Sequence, residues 1–297
     1  GTHGHGLEID AGEKGHDHGG NGNRYVDHEI DSMVVYTDNA RVSNGGTNGI
    51  NLGVAQCYAR AGANVFVFSR DQEKVDSAIE LLKKEGGQGG QVAGCTTDVR
   101  DHDLVKAAFQ QCVDLWGELD VVVSGAAGNF PAYAKDLSSN GFRAVMEIDL
   151  LGTHHVLSAA YPHMKKPGGS IINITAPQSW VPLVGQVHVC AAKAGVDQYM
   201  RTAAIEWGGE GVRVNSVSPG PIANSGGIDR LYKTKEQLDA KIASVPMGRL
   251  GTWEDIGNTC MFLGSDLATY ITGTLISVDG GNSLDMDARR LDEVLAQ

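Results

Sequence analysis

The sequence lacks several features that would assign it to common classes of protein. No apolar run approaches the roughly 18 residues that a membrane-spanning helix needs. The 5 cysteines are odd in number and include no C-x-x-C pair, so we expect reduced thiols of an intracellular protein and no metal site. Cations are few, with 24 Lys and Arg against 36 Asp and Glu. The resulting net charge of −12 argues against nucleic-acid and anionic membrane partners, since both need clustered cations.

Residues 1–33 form a leader that differs from the rest of the chain. They are rich in Gly, His and Asp and have little apolar periodicity, which is typical of a flexible extension or a tag. We therefore expect the folded domain over residues 34–297. The C-terminal residues Leu295-Ala296-Gln297 are not a peroxisomal S-K-L signal, so a cytoplasmic location is expected.

From residue 39 onward, apolar strands alternate with helical segments. This alternation is typical of a parallel sheet that helices cover on both faces. We predict a single doubly wound, Rossmann-type α/β domain with about seven strands. The predicted strands lie at 40–43, 64–69, 91–95, 119–123, 170–174, 212–217 and 275–278. The predicted helices include 50–61, 101–116, 139–165 and 187–207, and a polar segment at about 223–247 has the character of a substrate lid.

A glycine loop follows the first predicted strand and precedes a helix. Its sequence is Asn44-Gly45-Gly46-Thr47-Asn48-Gly49-Ile50-Asn51. A loop in this position lets backbone N–H groups approach a pyrophosphate at the helix N-terminus. A purely structural turn is the alternative. The candidate cofactor-binding residues here are Gly45, Thr47, Asn48, Gly49 and Ile50.

The second predicted strand ends in Ser69-Arg70. An acidic residue at this place would hold the ribose diol of NAD, whereas a small hydroxyl followed by Arg suits a 2′-phosphate. An Arg that is merely exposed after a strand is the alternative. In register with the glycine loop, the pair favours NADPH as the cofactor.

The fourth predicted strand is followed by Ser124-Gly125-Ala126-Ala127-Gly128-Asn129-Phe130, whose small residues let the chain pass close to a cofactor. Together with the glycine loop, this segment makes the chain from 39 to about 284 resemble the short-chain dehydrogenase/reductase family. The loop departs from the family motif T-G-x-x-x-G-x-G at Asn44 and Asn51. The ending A-A-G-N-F resembles the 2,4-dienoyl-CoA reductase branch of that family. Further matching segments are Ile148-Asp149, Asn173-Ile174-Thr175-Ala176, Gln186-Val187-His188, Val214-Asn215-Ser216 and Pro219-Gly220-Pro221-Ile222.

The resemblance implies additional contacts with the cofactor. In this family, small residues after the fourth strand and the loop after the sixth strand lie near the nicotinamide, and a pair after the third strand meets the adenine. The positions that match here are Asp98, Val99, Ala126, Ala127, Gly128, Pro219, Gly220, Ile222 and Ser225.

The family's catalytic tetrad of Asn, Ser, Tyr and Lys is mostly absent. By register its positions are Asp149, Ala176, Val189 and Lys193, so the lysine alone is retained. The usual Tyr lies one helical turn before the Lys, and Val189 has no proton to give. Thr175 is adjacent to the serine position, but neighbouring residues of a strand face opposite ways.

Two interpretations of the altered tetrad remain. One is a degraded enzyme that still binds a dinucleotide. The other is that Asp149 and Lys193 position and acidify a water molecule, because neighbouring charges change the proton affinity of a hydrogen-bonded group. The peroxisomal-type dienoyl-CoA reductases, which this chain resembles, also lack the Tyr and are thought to use such a pair, which favours the second interpretation.

The resemblance implies NADPH-dependent reduction of a 2,4-dienoyl-CoA to a 3-enoyl-CoA, a reaction of fatty-acid β-oxidation. Hydride would enter the far end of the diene, and negative charge would spread to the thioester oxygen. Asn129 is the candidate donor to that oxygen, with a turn-forming Asn as the alternative. His188 is rotated about 100° from Val189 around the helix, so we expect a packed histidine, with a substrate contact as the alternative.

Other functions stay open from the residues alone. The chain could reduce another activated alkene or a carbonyl, or it could be an inactive scaffold that binds NADPH. The helices predicted at 139–165 and 187–207 are apolar on one face and imply the family's four-helix dimer interface. We therefore expect a homo-oligomer, either a dimer or a tetramer, with an acyl-CoA thioester as its ligand.

Overall fold

The computed structural model describes residues 33–36, 49–86, 89–225 and 232–284. The predicted leader up to residue 32, the strand predicted at 40–43 and the loop residues Gly45, Thr47 and Asn48 lie outside these ranges. The end of the glycine loop, at Gly49 and Ile50, lies inside them.

Within the described residues, seven parallel strands form one sheet in the order β3-β2-β1-β4-β5-β6-β7. The strands are β1 Met33–Tyr36, β2 Val65–Ser69, β3 Val92–Thr96, β4 Val121–Ser124, β5 Ser170–Ile174, β6 Arg213–Pro219 and β7 Leu275–Val278. The strand order reverses between β1 and β4, and ligands of such sheets bind beyond the carboxyl ends of the strands at this point. The predicted doubly wound α/β fold is confirmed.

The first strand lies earlier in the chain than predicted. β1 is Met33–Tyr36, and it pairs in parallel with β2 on one side and β4 on the other. The sequence Met-Val-Val-Tyr is an unbroken apolar run with β-branched residues, which suits a central strand of a parallel sheet. The segment 40–43, by contrast, is interrupted by Arg41. The boundary predicted between residues 33 and 34 falls within this strand.

Eight α-helices follow the strands within the described part of the chain. They are α1 Ile50–Arg60, α2 Gln72–Glu85, α3 His102–Trp116, α4 Ser139–Val145, α5 Gly152–Ala160, α6 Val187–Gly208, α7 Lys235–Ser244 and α8 Trp253–Gly264. Asp71 caps the N-terminus of α2 and Asp101 that of α3, each through its carboxylate. Such caps satisfy backbone N–H groups that the helix itself leaves without partners.

The hydrophobic core has two layers, one on each face of the sheet. Alternate strand residues point to opposite faces, and both sets are buried. The layer beneath α3, α5 and α6 includes Phe66, Phe68, Val122, Ile171 and Val214. The layer beneath α1 and α8 includes Val65, Val67, Val121, Ile172 and Val217. Both faces are thus covered, as the near-continuous apolar strands predicted.

The helix predicted at 139–165 is interrupted in the structure. After α4 the chain forms a π-helical turn over Met146–Leu151, then α5, then a 3₁₀ turn over Tyr161–His163. A π turn widens the helix by one residue, and such turns are frequent at functional sites. Asp149 lies in this turn.

The segment predicted as a lid at 223–247 is described except for residues 226–231. It contains α7, whose N-terminus has a capping box between Thr234 and Gln237. Its role as a lid stays a prediction. Across the described residues, no helix is both long and apolar enough to cross a membrane. The same residues contain no group of three or more His, Cys, Asp or Glu side chains arranged to hold a metal ion.

Candidate active site

The candidate site lies beyond the carboxyl ends of β4 and β5, beside the point where the strand order reverses. Three segments supply its charged and polar groups. The loop after β4 brings Gly128, the π turn brings Asp149, and α6 brings Lys193. The sequence therefore predicted correctly that these segments meet.

Asp149 and Lys193 form a buried ion pair. Lys193 Nζ lies 3.2 Å from Asp149 Oδ2, and the two side chains are 6% and 0% exposed. Lys193 Nζ also donates to the carbonyl oxygen of Ile174, at 3.4 Å. The second carboxylate oxygen, Oδ1, accepts a hydrogen bond from the backbone N–H of Gly128 at 2.6 Å. The pair is thus fixed to β5 and to the loop after β4.

Burial raises the pKa of the Asp149 carboxyl above its ordinary value. The charge of Lys193, the hydrogen bond from Gly128 and the ring of His188 act in the opposite direction but do not cancel the effect. A carboxyl in such surroundings holds a proton at higher pH than an exposed one. Perturbed carboxyls of this kind are characteristic of functional sites.

The positions of the usual Ser and Tyr hold no ionisable group. Val189 is 3% exposed and packs against Val145 and Ala192, between α6 and the end of α4. Thr175 precedes Ala176, and its hydroxyl is buried without a hydrogen-bond partner among the described residues. Of the four tetrad positions, Asp149 and Lys193 therefore carry the polar chemistry.

His188 is buried and packed, as the sequence led us to expect. Its side chain is 0% exposed, and its ring packs against the ring of Phe130 with centroids 4.6 Å apart and planes at 46°. Burial lowers the pKa of the imidazole, against the raising effects of the Phe130 backbone and the charge of Asp149. Neither ring nitrogen has a hydrogen-bond partner of normal geometry in the described part of the chain.

Asn129 lies between two residues that contact the site. Gly128 before it binds Asp149, and Phe130 after it packs on His188. The Asn129 side chain is exposed. Its role as a donor to a thioester oxygen stays a prediction, although its neighbours fix the loop that carries it.

A cavity of about 110 Å³ joins two of the predicted cofactor-binding segments. It is lined by Gly49, Ile50, Gly53, Gln56, Ile222, Ala223, Asn224, Ser225 and Trp253. Gly49 is the N-cap of α1, and no side chain of the described residues caps this helix. The first N–H groups of α1 therefore remain to bind an anion, as a cofactor pyrophosphate requires. The residues present fit a dinucleotide at this end of the sheet.

Asn51, which departs from the family's glycine motif, fits because of Gly125. Asn51 Nδ2 donates to the Gly125 carbonyl oxygen at 2.9 Å. A Cβ added at Gly125 would lie 2.2 Å from Asn51 Oδ1, far inside contact distance. The family motif has Gly at position 51, which would leave space there. Asn51 fills that space, and it fits because Gly125 has no side chain.

The ends of β2 and β3 bring Arg70 close to Asp98. Burial works to raise the pKa of Asp98, but hydrogen bonds from Arg100 and the charges of Arg100 and Arg70 lower it below its ordinary value. Ser69 is buried, and its hydroxyl accepts from the backbone N–H of Asp71 at 3.3 Å. Val99, the second residue of the predicted adenine-contacting pair, has a fully buried side chain in the core, so any adenine contact involves its backbone.

The loop after β6 passes close to β7 and the cavity. Gly220 donates its N–H to Val278 at 3.0 Å, and a Cβ there would lie 2.5 Å from the Cα of Asp279. Ile222 is buried, and the Ser225 hydroxyl donates to its carbonyl oxygen at 2.7 Å. These bonds hold Pro219, Gly220, Ile222 and Ser225 along the wall between the cavity and β7, where the sequence predicted a nicotinamide contact. Ala126 and Ala127 lie in the loop after β4, and Ala126 is buried.

Two polar groups near the predicted pair were given no catalytic role from the sequence. The His188 ring and the Thr175 hydroxyl both lie beside the predicted pair, buried and without normal hydrogen-bond partners among the described residues. The buried residues of α6 include the polar side chains of Lys193 and Asp197 as well as His188. Phe130 and Asp149, which act on His188, are distant in the chain, so spacing along one helix could not identify them.

Comparison with protein families shows a match over most of the chain. The family model described as "Enoyl-(Acyl carrier protein) reductase" matches residues 45–283. The matched range begins in the glycine loop and ends beyond β7. It therefore includes β2 to β7 and every residue of the candidate site, but not β1.

Two curated proteins are similar to this chain over nearly their whole length. A Bacillus subtilis protein named "Probable 2,4-dienoyl-CoA reductase [(2E)-enoyl-CoA-producing]" is 40% identical over 250 residues, which cover 83% of this chain and 97% of that one. A Rattus norvegicus protein named "Peroxisomal 2,4-dienoyl-CoA reductase [(3E)-enoyl-CoA-producing]" is 38% identical over 269 residues, 90% of this chain and 91% of the rat chain.

Solved structures have the same fold. A short chain dehydrogenase from Bacillus anthracis is 36% identical, with a TM-score of 0.72, and the match covers 86% of this chain and 98% of that one. A short-chain type dehydrogenase/reductase from Mycobacterium ulcerans is 29% identical, with a TM-score of 0.78, over 91% of this chain and 96% of that one. The sheet and its covering helices therefore correspond across these proteins.

Proposed function

The chain belongs to the short-chain dehydrogenase/reductase family of oxidoreductases, and on this premise we propose that it is an NADPH-dependent reductase of 2,4-dienoyl-CoA thioesters. The observation that carries the proposal is the buried pair of Asp149 and Lys193 in a site that has Val189 in place of the usual Tyr. The names of two relatives that share most of this chain support the substrate class.

The chemistry of the substrate agrees with the loss of the Tyr. Reduction of a ketone leaves an alkoxide, which needs a proton delivered directly to oxygen. Reduction of a conjugated dienoyl thioester instead leaves a dienolate, whose oxygen must be stabilised while a carbon atom is protonated. A positioned water molecule can protonate carbon, and fixed hydrogen-bond donors at the oxygen lower the barrier by several kcal/mol. A site with an acid–base pair but no phenol is suited to the second reaction.

Each residue then has a distinct task. Lys193 binds the nicotinamide ribose and, with Asp149, holds the water molecule. The Lys193 ammonium group favours loss of a proton from that water, and Asp149 keeps the ammonium group in place through the 3.2 Å ion pair. Asn129 donates to the thioester oxygen as charge develops there. Exclusion of bulk water by the buried walls of the site strengthens each of these interactions.

NADPH is the cofactor that the site is proposed to bind, and it would supply the hydride. The N-terminus of α1 at Gly49 and Ile50 takes the pyrophosphate, and the loop at Ile222 and Ser225 takes the nicotinamide end. Gly45, Thr47 and Asn48 complete the loop in the sequence-based prediction. Arg70 beside Asp98 supports a contact with a 2′-phosphate, which an Arg guanidinium binds in a bidentate manner.

The product is proposed to be a 3-enoyl-CoA, which requires protonation next to the thioester carbonyl. The names of the two relatives differ on this point, since one states a (2E)-enoyl product and the other a (3E)-enoyl product. A cytoplasmic homo-oligomer that acts in fatty-acid β-oxidation remains part of the proposal. The lid segment around α7 would close over the acyl-CoA.

A second candidate function is an NADPH-binding scaffold without activity. Val189 and Ala176 favour it, because neither can take part in proton transfer. A third candidate is reduction of another activated alkene or of a free carbonyl. These candidates differ in turnover and not in cofactor binding, so one set of assays separates them.

The test is NADPH consumption with a short 2,4-dienoyl-CoA, compared between wild type, Asp149→Asn and Lys193→Ala. We expect turnover in wild type and a loss of roughly 10²-fold or more in both variants, the usual contribution of a positioned acid–base group. The exposed residues Asp114 and Lys106 provide matched controls, as Asp114→Asn and Lys106→Ala, which should retain full activity. Circular dichroism and NADPH fluorescence would check that each variant folds and binds.

Three results would count against the proposal. Saturable NADPH binding without turnover of any enoyl or dienoyl thioester would support the scaffold. Turnover of free carbonyls but not of thioesters would support the third candidate. Full activity of Asp149→Asn on a dienoyl-CoA would leave the substrate class standing but refute the role of the ion pair.

A further inference from the structure

His188 lies within the site, yet no step of the reaction described above uses it. It is the second residue of α6, and its side chain is 0% exposed. The ring of Phe130 packs against it with centroids 4.6 Å apart. Phe130 belongs to the loop that carries Gly128 and Asn129, and Gly128 binds Asp149.

The His188 ring interacts with the Phe130 backbone but keeps hydrogen-bonding capacity for a ligand. Neither ring nitrogen has a hydrogen-bond partner of normal geometry among the described residues. Burial lowers the pKa of the ring, so at neutral pH one nitrogen is a donor and the other an acceptor. Buried polar groups almost always bind a protein group or an ordered water molecule. A histidine that served packing alone would gain from replacement by an apolar residue at this place.

Asp149 interacts electrostatically with both His188 and Lys193. The charge of Asp149 acts on the His188 ring, and the ring acts on the pKa of Asp149 in return. The ionisable group that acts on His188 is thus Asp149 of the π turn, and the Phe130 backbone adds to its effect. The same carboxylate is paired with the Lys193 ammonium group at 3.2 Å.

We propose that His188 is a further catalytic residue, one ring nitrogen of which binds the water molecule held by Asp149 and Lys193 and so fixes the direction of its proton. This inference rests on the proposed function and adds a residue to it. Phe130 holds the plane of the imidazole, while Val189, one position on, only packs between helices. His188 thus replaces the positioning function of the lost phenol but not its acidity.

The proton transfer balances without ionisation of the imidazole. An O–H bond of the water breaks, and its proton forms a C–H bond with the electron pair of the dienolate, next to the thioester carbonyl. The water oxygen takes a proton from the Lys193 ammonium group, which regains one from solvent. His188 stays neutral throughout and contributes hydrogen bonds alone.

The test compares His188→Phe with His188→Asn. The first keeps an aromatic ring against Phe130 but has no nitrogen, and the second keeps a donor and an acceptor on a smaller side chain. We expect His188→Phe to lower kcat for a 2,4-dienoyl-CoA by roughly 10²-fold and to increase the solvent deuterium isotope effect on kcat. In His188→Phe, the KM for the dienoyl-CoA and the Kd for NADPH should change by less than about threefold. The kcat of His188→Asn should be at least about tenfold higher than that of His188→Phe.

A matched control is His163→Phe, at a partly buried histidine in the 3₁₀ turn after α5, which should leave kcat and the isotope effect unchanged. Unaltered kcat in His188→Phe would overturn the proposal. So would a rise in KM at constant kcat, because that result indicates substrate binding and not proton delivery. Equal losses in both His188 variants with a lowered Tm would indicate packing and would also overturn it.

A measurement without substrate separates this inference from the proposed function. The C–H protons of the His188 ring can be titrated by NMR in wild type and in Asp149→Asn. Since the charge of Asp149 raises the pKa of His188, the variant should titrate at lower pH. An unchanged titration would refute the arrangement even in an active enzyme. A shifted titration in a protein that reduces no dienoyl-CoA would instead refute the proposed function alone.

Discussion

Lys193 Nζ lies 3.2 Å from Asp149 Oδ2, although the two side chains are 6% and 0% exposed. Buried charges cost free energy to remove from water, and each one here is stabilised by the other. Removal of one partner leaves an unpaired charge in the interior, which is more harmful than removal of both. The pair therefore has a measurable effect on stability as well as its proposed effect on proton transfer.

Replacement of Lys193 by Met should destabilise the fold. We expect the free energy of unfolding at pH 8 to fall by about 3–5 kcal/mol, because the buried Asp149 carboxylate loses the ammonium group with which it is paired. Urea denaturation followed by circular dichroism measures this loss. The double variant Asp149→Asn/Lys193→Met carries no charge at the site and should be more stable than Lys193→Met alone.

The control for this experiment is Lys106→Met. Lys106 pairs with Asp103 on the exposed face of α3, at 3.5 Å, and such a pair is worth about 0–1 kcal/mol. If the two residues do not interact, the addition of Asp149→Asn to Lys193→Met should lower the stability by as much as Asp149→Asn does alone. That result would contradict the prediction.

The stability of the protein should depend on pH through Asp149. Its pKa in the folded state is raised above the ordinary value of 3.8, chiefly by burial and against the effect of Lys193. Between 3.8 and the folded pKa, the folded state binds more protons than the unfolded state, so the free energy of unfolding falls as pH rises. The contribution of Asp149 is complete below this window and is lost above it.

The measurement is the free energy of unfolding of wild type and Asp149→Asn from pH 4 upward. Asn cannot titrate, so the stability of the variant relative to wild type should rise with pH across the window. A difference that stays constant, or that moves in the opposite direction, would contradict a raised pKa.

Substitution of Arg70 should change the choice of cofactor. We expect Arg70→Ala to weaken NADPH binding by about 10- to 100-fold, the equivalent of one charged hydrogen-bonding partner, with little change in NADH binding. Fluorescence titration with both cofactors measures the two Kd values. Arg143→Ala, at an exposed position of α4, is the matched control. Equal weakening of both cofactors by Arg70→Ala would refute a contact with the 2′-phosphate.

Gly53 should tolerate no side chain, because α1 and α8 cross there. A Cβ added at Gly53 would lie 2.3 Å from the Cβ of Trp253. We expect Gly53→Ala to destabilise the protein by about 1–3 kcal/mol and to weaken NADPH binding, since both residues line the cavity at the N-terminus of α1. Thermal unfolding with and without NADPH measures both effects.

A glycine in open surroundings provides the comparison. At Gly208, the last residue of α6, an added Cβ meets nothing within 4 Å. Gly208→Ala should therefore be neutral or stabilise by up to about 1 kcal/mol, since Ala favours the helix. A similar loss of stability in both variants would show that helix packing is not the cause.

The sequence predicted the sheet well wherever apolar runs were bounded by clear turns. The strands at 170–174 and 275–278 have the predicted bounds, and the others differ by a few residues. The first strand of the sheet, β1, lies well before the glycine loop next to which a strand was predicted, and the predicted segment 40–43 lies outside the described residues. The long helix at 139–165 gave no sign of a π turn, since its apolar periodicity continues through Met146–Leu151.

The candidate site was predictable in part. The meeting of Asp149 and Lys193 followed from the register of the motifs, and the structure places them in contact. The surroundings of His188 did not follow, because they depend on how the loop at Phe130 returns over α6. The bond between Asn51 and Gly125 was equally hidden, since it joins residues 74 positions apart.

The bond between Asn51 and Gly125 also makes the two positions interdependent. A Cβ at 125 would lie 2.2 Å from Asn51 Oδ1, so a side chain there requires the Asn51 amide to move and to give up its bond to the carbonyl oxygen of residue 125. The effect of a substitution at 125 therefore depends on the residue at 51, and the effects of substitutions at both positions should not add.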